Sequence, residues 1–333
     1  MAFSNGVKGI LVKNMRKIIS FFVRIAISIG ALLFLFKQVD FYKIMQAVEN
    51  INKPIFVFAF LLALFASMLC FFRWRMILLG LGLKISTFLI FRSFCIGYFS
   101  NLFFPSTVGG DFSRSIDLGL RTQKPRQVAA SVILDRLSGF SALVIIALFA
   151  LLFVVRIITE VAVFFALGIF FFLIAGILLV LFNNFLFSKV SRLLRFLGRI
   201  GKALSNLHYE IYNFRNQKRI ILISILYSLV IQLIIPISFY LLSRALGVSL
   251  NPMYFFVFVP LVTVISALPV SIAGLGLREA SSMYFFTKVG MPGEVALAIA
   301  LLSFFMLFLI GLSGGLFYVF TFSNRRIQHN QAG

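Results

Sequence analysis

Acidic side chains are scarce in this chain. Nine Asp and Glu face 31 Lys and Arg, a formal net charge of +22 over 333 residues. A nucleic-acid binder of that charge needs a soluble basic domain. None is present, because only 12% of residues are charged and 61% are hydrophobic. Histidine is limited to His208 and His329, which argues against a His-based metal centre. There is no Walker A sequence, no Gly-x-Ser-x-Gly and no run of spaced aspartates to hold Mg²⁺. No cofactor, metal or catalytic residue is therefore expected. The two cysteines, Cys70 and Cys95, lie in or beside apolar runs and are expected to pack rather than to form a disulfide.

Apolar sequence, by contrast, is abundant and continuous. Mean hydropathy is +1.07. A soluble domain of this size cannot bury that much apolar surface, and the runs are too long for a β-barrel. The fold class is an all-α polytopic integral membrane protein. A span takes roughly 20 apolar residues. Eight hydrophobic segments qualify or nearly so: Ile18–Phe36, Ile55–Phe72, Phe88–Phe104, Leu137–Val155, Val161–Phe182, Ile220–Leu242, Met253–Leu268 and Val295–Phe322. Lys8, Lys13, Arg16 and Lys17 precede the first, which reads as a retained signal anchor.

Loop charges decide which segments cross. With the N-terminus inside and all eight spanning, the loop 183–219 falls outside. That loop carries Lys189, Arg192, Arg195, Arg199, Lys202, Arg215, Lys218 and Arg219 against Glu210 alone, so the placement violates the positive-inside rule. The conflict disappears if the third and seventh segments are re-entrant. The loop and the Arg325-Arg326 tail are then cytoplasmic, while Arg156 and Arg244 are outside. About six helices span and two broken elements enter from opposite sides, an inverted repeat. The organisation expected is a basic cytoplasmic N-terminus (1–17), one membrane domain (18–322) and a cytoplasmic tail (323–333). The repeat halves are about 55–155 and 220–322. Within the basic loop, Val190, Leu193, Leu197, Ile200, Leu204, Leu207 and Ile211 mark one apolar helix face. That helix either lies on an anionic leaflet or packs on its own protein.

The two re-entrant segments end in matching motifs. Pro105-Ser106-Thr107-Val108-Gly109-Gly110-Asp111-Phe112-Ser113-Arg114 aligns without a gap on Pro269-Val270-Ser271-Ile272-Ala273-Gly274-Leu275-Gly276-Leu277-Arg278, which Glu279 follows. Leu81-Gly82 and Leu246-Gly247 precede them. Pro105, Gly109, Gly110, Pro269, Gly274 and Gly276 break the helices and let backbone approach a ligand closely. Asp111 and Arg114 sit one helical turn apart; they either cradle a phosphate with free amide N–H groups or form a local cap and ion pair. Arg278 and Glu279 repeat the theme, with Glu279 expected to face Asp111 or Arg114 across the repeat. An ionisable residue inside a membrane costs about 2.5–3.5 kcal/mol on insertion scales, so four of them in matching breaks point to function or a watered cavity. Asp135-Arg136 opens the next long helix as an interface anchor or cavity wall. Arg92 reads as a snorkelling side chain, Asp117 and Arg121 as a solvated stretch, and Trp74 between Arg73 and Arg75 as an interface anchor.

These motifs together resemble the lysylphosphatidylglycerol synthase transmembrane region family, the flippase-like part of the multiple peptide resistance factor. The resemblance runs from about Ile18 to Phe322 and rests on Gly109-Gly110-Asp111 with Arg114, on Asp135-Arg136 where the family often has Glu-Arg, and on Pro269 with Gly274-Leu275-Gly276-Leu277-Arg278-Glu279. Bifunctional members carry a C-terminal aminoacyl-transferase domain; this chain ends shortly after Phe322. The resemblance therefore implies lipid translocation without lysyl transfer, and no enzyme activity. Asp111, Arg114, Asp135, Arg136, Arg278 and Glu279 are the expected substrate-binding residues. The implied partners are membrane lipids, with an anionic phospholipid or lipid-linked headgroup as cargo. No nucleic acid is implied, and a homo-oligomer is left open. The expected location is the bacterial inner membrane, with both termini cytoplasmic. The alternatives are a membrane enzyme acting on a polyprenyl-phosphate or phospholipid headgroup, and an assembly partner that transports nothing.

Overall fold

Short polar side chains start the helices. Asp40, Asn52, Ser86 and Asn251 are extended in backbone, and each accepts a hydrogen bond from an amide in the first turn that follows. A computed structural model describes residues 26, 28–104, 108–154, 161–193, 198–268 and 270–330. The N-terminal 1–17 segment, Pro105, Arg156, Arg195, Leu197 and Pro269 lie outside the described residues.

Thirteen helices are described: α1 (Ser28–Gln38), then α2 (Phe41–Glu49), α3 (Lys53–Gly80), α4 (Thr87–Ser100), α5 (Val108–Thr122), α6 (Pro125–Val154), α7 (Val161–Phe182), α8 (Asn184–Leu193), α9 (Arg199–Phe214), α10 (Lys218–Ala245), α11 (Pro252–Ala267), α12 (Leu277–Thr287) and α13 (Gly293–Asn330). Five of them, α3, α6, α7, α10 and α13, are long and apolar enough to cross a membrane. The chain is an all-α polytopic membrane protein.

The second half repeats the first. Helices α3 and α10 are each 28 residues long. Each ends in Leu-Gly with the glycine left-handed, Gly82 at φ 75° and Gly247 at φ 81°. Leu83 N–H reaches back to the Leu78 carbonyl, and Val248 N–H to that of Ser243. Both are the same helix stop. A short helix follows (α4 or α11), then a break, then a second short helix (α5 or α12) and a long one (α6 or α13). The amphipathic helices α2 and α9 extend the correspondence upstream, since α2 packs on α13 as α9 packs on α6.

Each short pair folds back as an antiparallel hairpin. In the first, Asn101 Oδ1 accepts from Gly110 N–H at 2.8 Å, and Ser93 Oγ donates to Asp117 at 2.6 Å. In the second, Phe258 packs on both Phe285 and Phe286. The hairpins enter from opposite ends of the bundle. Ile90, Phe94 and Leu118 share a core with Val128 and Val132 near the start of α6. Phe255, Phe258 and Phe286 share one with Ala147 and Ala150 near its end. The tips meet: Ala273 N–H donates to the Phe104 carbonyl at 3.3 Å.

Three local expectations change. Trp74 is no interface anchor; it is fully buried, and its Nε1–H donates to Ser131 Oγ at 3.0 Å. Arg92 does not snorkel, being 3% exposed with Asp117 beside it at 3.8 Å. Among its described residues the basic loop carries two helices, α8 and α9, and Gly198 just before α9 has φ 54°. The apolar end of α9 packs on its own protein, with Ile211 and Phe214 buried against Ile77, Ala130 and Leu134.

Candidate functional site: a cationic cavity where the hairpins meet

Gly110 makes the first hairpin close. A Cβ there would lie 2.1 Å from the Gly97 carbonyl oxygen, so only glycine lets α5 approach α4 this tightly. The approach aims Asp111 and Arg114, on the first turns of α5, toward α6. Asp111 Oδ1 accepts from Arg114 at 2.8 Å, and Asp111 Oδ2 accepts from Arg136 Nε. Arg114 reaches further, donating to Asp135 Oδ2 at 2.9 Å. Asp135 Oδ1 accepts from Arg73 Nε at 2.7 Å. Arg73 Nη1 donates on to Ser228 Oγ of α10 at 2.9 Å. Arg114 also stacks 4.5 Å from the centre of the Trp74 ring. Helices α3, α5 and α6 are thus tied through one chain of ion pairs, which the Ser228 hydroxyl extends to α10. Asp111, Arg114, Asp135 and Arg73 are all at most 8% exposed.

The second hairpin contributes differently. Arg278 is buried, and its guanidinium lies 5.6 Å from the Phe304 ring centre. It makes no salt bridge among the described residues, and its Nη1 has no hydrogen-bond partner. Glu279 lies off the cavity wall. Its Oε2 accepts from Gly276 N–H at 2.6 Å and so caps the start of α12. Gly276 in turn sits against α1, where an added Cβ would come 2.7 Å from that of Ala31.

A cavity of about 220 Å³ lies between the two tips. Its wall includes Asp111, Arg114, Asp135, Arg136 and Arg278 from the expected residues, and Gly110 and Ala273 from the breaks. Gly109, Gly274, Gly276 and Glu279 are not part of the wall. Arg73 is, and sequence reasoning missed it, having assigned the Arg-Trp-Arg stretch to the membrane surface. The available signal was that the α3 run continues seven residues past Arg73 to Gly80, which sinks Arg73 below the helix end. Four arginines and two aspartates line the cavity, an excess of two formal positive charges. Such a wall suits an anion. Among the described residues no group of three or more His, Cys, Asp and Glu gathers to hold a metal ion.

Fold and cavity define a class: a polytopic α-helical membrane protein in which two opposed helical hairpins meet over a positively charged cavity. The chain belongs to the lysylphosphatidylglycerol synthase TM region family, whose model matches residues 21–315. It is a membrane protein related to the handling of lipid headgroups. Comparison with curated proteins and with solved structures returns no match.

Proposed function

We propose that the protein moves an anionic phospholipid or lipid-linked headgroup between the leaflets of a bacterial inner membrane. The observation that carries this is the cationic cavity at the point where hairpins from opposite ends of the bundle meet. A headgroup crossing a bilayer needs a polar way-station near the middle, reachable in turn from each side. Two hairpins related by an inverted repeat supply such a station, and each tip is a gate toward one leaflet. With the basic 183–219 loop cytoplasmic, both termini are cytoplasmic and the α4–α5 hairpin faces the cytoplasm.

In this function the chain is a transporter rather than an enzyme. Among the described residues, Asp111 and Asp135 are the only carboxylates on the wall, and every one of their oxygens already accepts from a guanidinium. In this reading both carboxylates serve as ion-pair partners that hold the arginines in place. The test is a proteoliposome assay with labelled lipid in the inner leaflet and a membrane-impermeant quencher outside. Wild-type protein is expected to expose the label and Arg278→Ala to expose much less. Equal rates in protein-free vesicles, or release of a chemically altered lipid, would sink the proposal.

A further inference from the structure

The same cavity discriminates among headgroups by what its wall lacks. A lipid that bears an amine, such as a lysylated one, needs an acceptor for its ammonium as well as a cation for its phosphate. Here both wall carboxylates are already paired. Asp111 is shared by Arg114 and Arg136, and Asp135 by Arg73 and Arg114. Glu279, the nearest acid in sequence to Arg278, gives Oε2 to the Gly276 amide; its Oε1 is buried without a hydrogen-bond partner, but the residue is absent from the wall. An entering ammonium would have to break a buried ion pair or sit unpaired beside four guanidiniums.

Arg278 is in the opposite condition. In the ungapped match of the two motifs Arg114 falls on Arg278, but Asp111 falls on Leu275. The second motif therefore keeps its arginine and lacks an acid at the matching position, and Arg278 forms no salt bridge with Glu279. The result is a buried guanidinium with an unsatisfied Nη1 at the cavity, against the Phe304 ring. A charged donor so placed calls for an anionic acceptor. The space of about 220 Å³ equals about seven waters at ~30 Å³ each, enough for a phosphodiester and a short polyol.

We infer that the cavity takes a phosphate anion that carries no cationic group, through Arg278, and rejects the lysylated lipid in the family's name. The inference rests on this cavity being the headgroup site. A lipid phosphodiester and free inorganic phosphate share the required chemistry, so both are tested.

Trp74 is the only tryptophan of the chain and lies under Arg114 in the charge network, which makes its emission a cavity reporter. Full-length protein in detergent is titrated with phosphatidylglycerol, lysyl-phosphatidylglycerol and inorganic phosphate. Phosphatidylglycerol is expected to give a saturable change at a concentration at least tenfold below that for the lysylated lipid. Arg278→Gln should abolish the response, and Arg278→Lys should retain part of it. Leu275→Asp, which restores the missing acid, should weaken binding at least tenfold. A saturable response to inorganic phosphate with none to phosphatidylglycerol supports the anion site and assigns it a soluble ligand. Equal or tighter binding of the lysylated lipid to wild-type protein, which needs no variant to fold, overturns the inference. So does unchanged phosphatidylglycerol binding in Arg278→Gln. Selective binding without any flipping overturns the transport proposal and leaves this one standing; flipping with no headgroup preference does the reverse.

Discussion

Replacing Asp135 by asparagine removes one negative charge from the middle of the network. Asp135 is 3% exposed and accepts from Arg73 at 2.7 Å and from Arg114 at 2.9 Å. Arg114 keeps Asp111 as a partner, whereas Arg73 keeps only the Ser228 hydroxyl. Breaking a buried ion pair from one side strands a charge in low dielectric and costs about 3–5 kcal/mol. Removing the pair together is far cheaper, because no charge is left behind. The Asp135→Asn variant is therefore expected to lose about 3–5 kcal/mol of stability, and Arg73→Met with Asp135→Leu much less. The assay is denaturant unfolding in detergent, followed through Trp74 emission and closed into a double-mutant cycle on Arg73 and Asp135. A coupling of about 2–3 kcal/mol is expected for groups in direct contact. Additivity within about 0.5 kcal/mol, or an Asp135→Asn variant as stable as wild type, would refute the view that these charges are mutually dependent.

Two further outcomes follow from local geometry. Gly110→Ala places a methyl group 2.1 Å from the Gly97 carbonyl oxygen and 2.4 Å from Asn101 Oδ1; overpacking of this kind costs about 1–3 kcal/mol, and a lowered midpoint in thermal melts with poorer headgroup binding checks it. His208, in α9 outside the spans, stacks flat on Phe187 and lies 3.2 Å from Asn184 Oδ1, and burial pushes its imidazole pKa below the ordinary value. The folded state thus prefers the neutral ring. Its contribution to the α8–α9 contact is complete above the unfolded pKa of about 6.5 and is lost as pH falls through the lower folded value. Limited proteolysis near Gly198 should accelerate on acidification, and His208→Phe should remove that acceleration.

The described segments lay close to the surface of the sequence, because span length and hydropathy are set by the bilayer and not by tertiary detail. Val161–Phe182 is a helix over the same residues, and Met253–Leu268 becomes Pro252–Ala267. The hairpins were legible in the two matching motifs, each of which falls at the break between a pair of short helices. What stayed hidden was pairing. Nothing local to Arg73-Trp74-Arg75 says that Arg73 meets Asp135, 62 residues away, or that Trp74 lies under Arg114. Glu279 was hidden for a different reason. Its local role, capping Gly276 through Oε2, fixes the side chain at the start of α12 and off the cavity wall. Adjacent residues on a helix point about 100° apart, so Arg278 can face the cavity only if Glu279 faces elsewhere.

The difference between the halves matters more than their likeness. Suppose the second motif carried an acid at Leu275, as the first carries Asp111. Arg278 would then be paired, and the excess charge of the wall would fall. A ligand would have to compete with a built-in carboxylate for every guanidinium. Suppose instead that the first motif lacked Asp111 as well. Arg114 and Arg136 would each lose a partner, in a place where an unpaired charge costs about 2.5–3.5 kcal/mol. A cavity that is both stable and able to bind needs most of its arginines held and at least one free. The first hairpin supplies the held ones, through Asp111 and Asp135. The second supplies the free one, Arg278, on the tip whose Ala273 amide touches the first tip at Phe104. An anion bound to Arg278 would thus sit on the hairpin that makes the tip-to-tip contact, so that in the transport we propose, ligand binding and gating would share one hairpin.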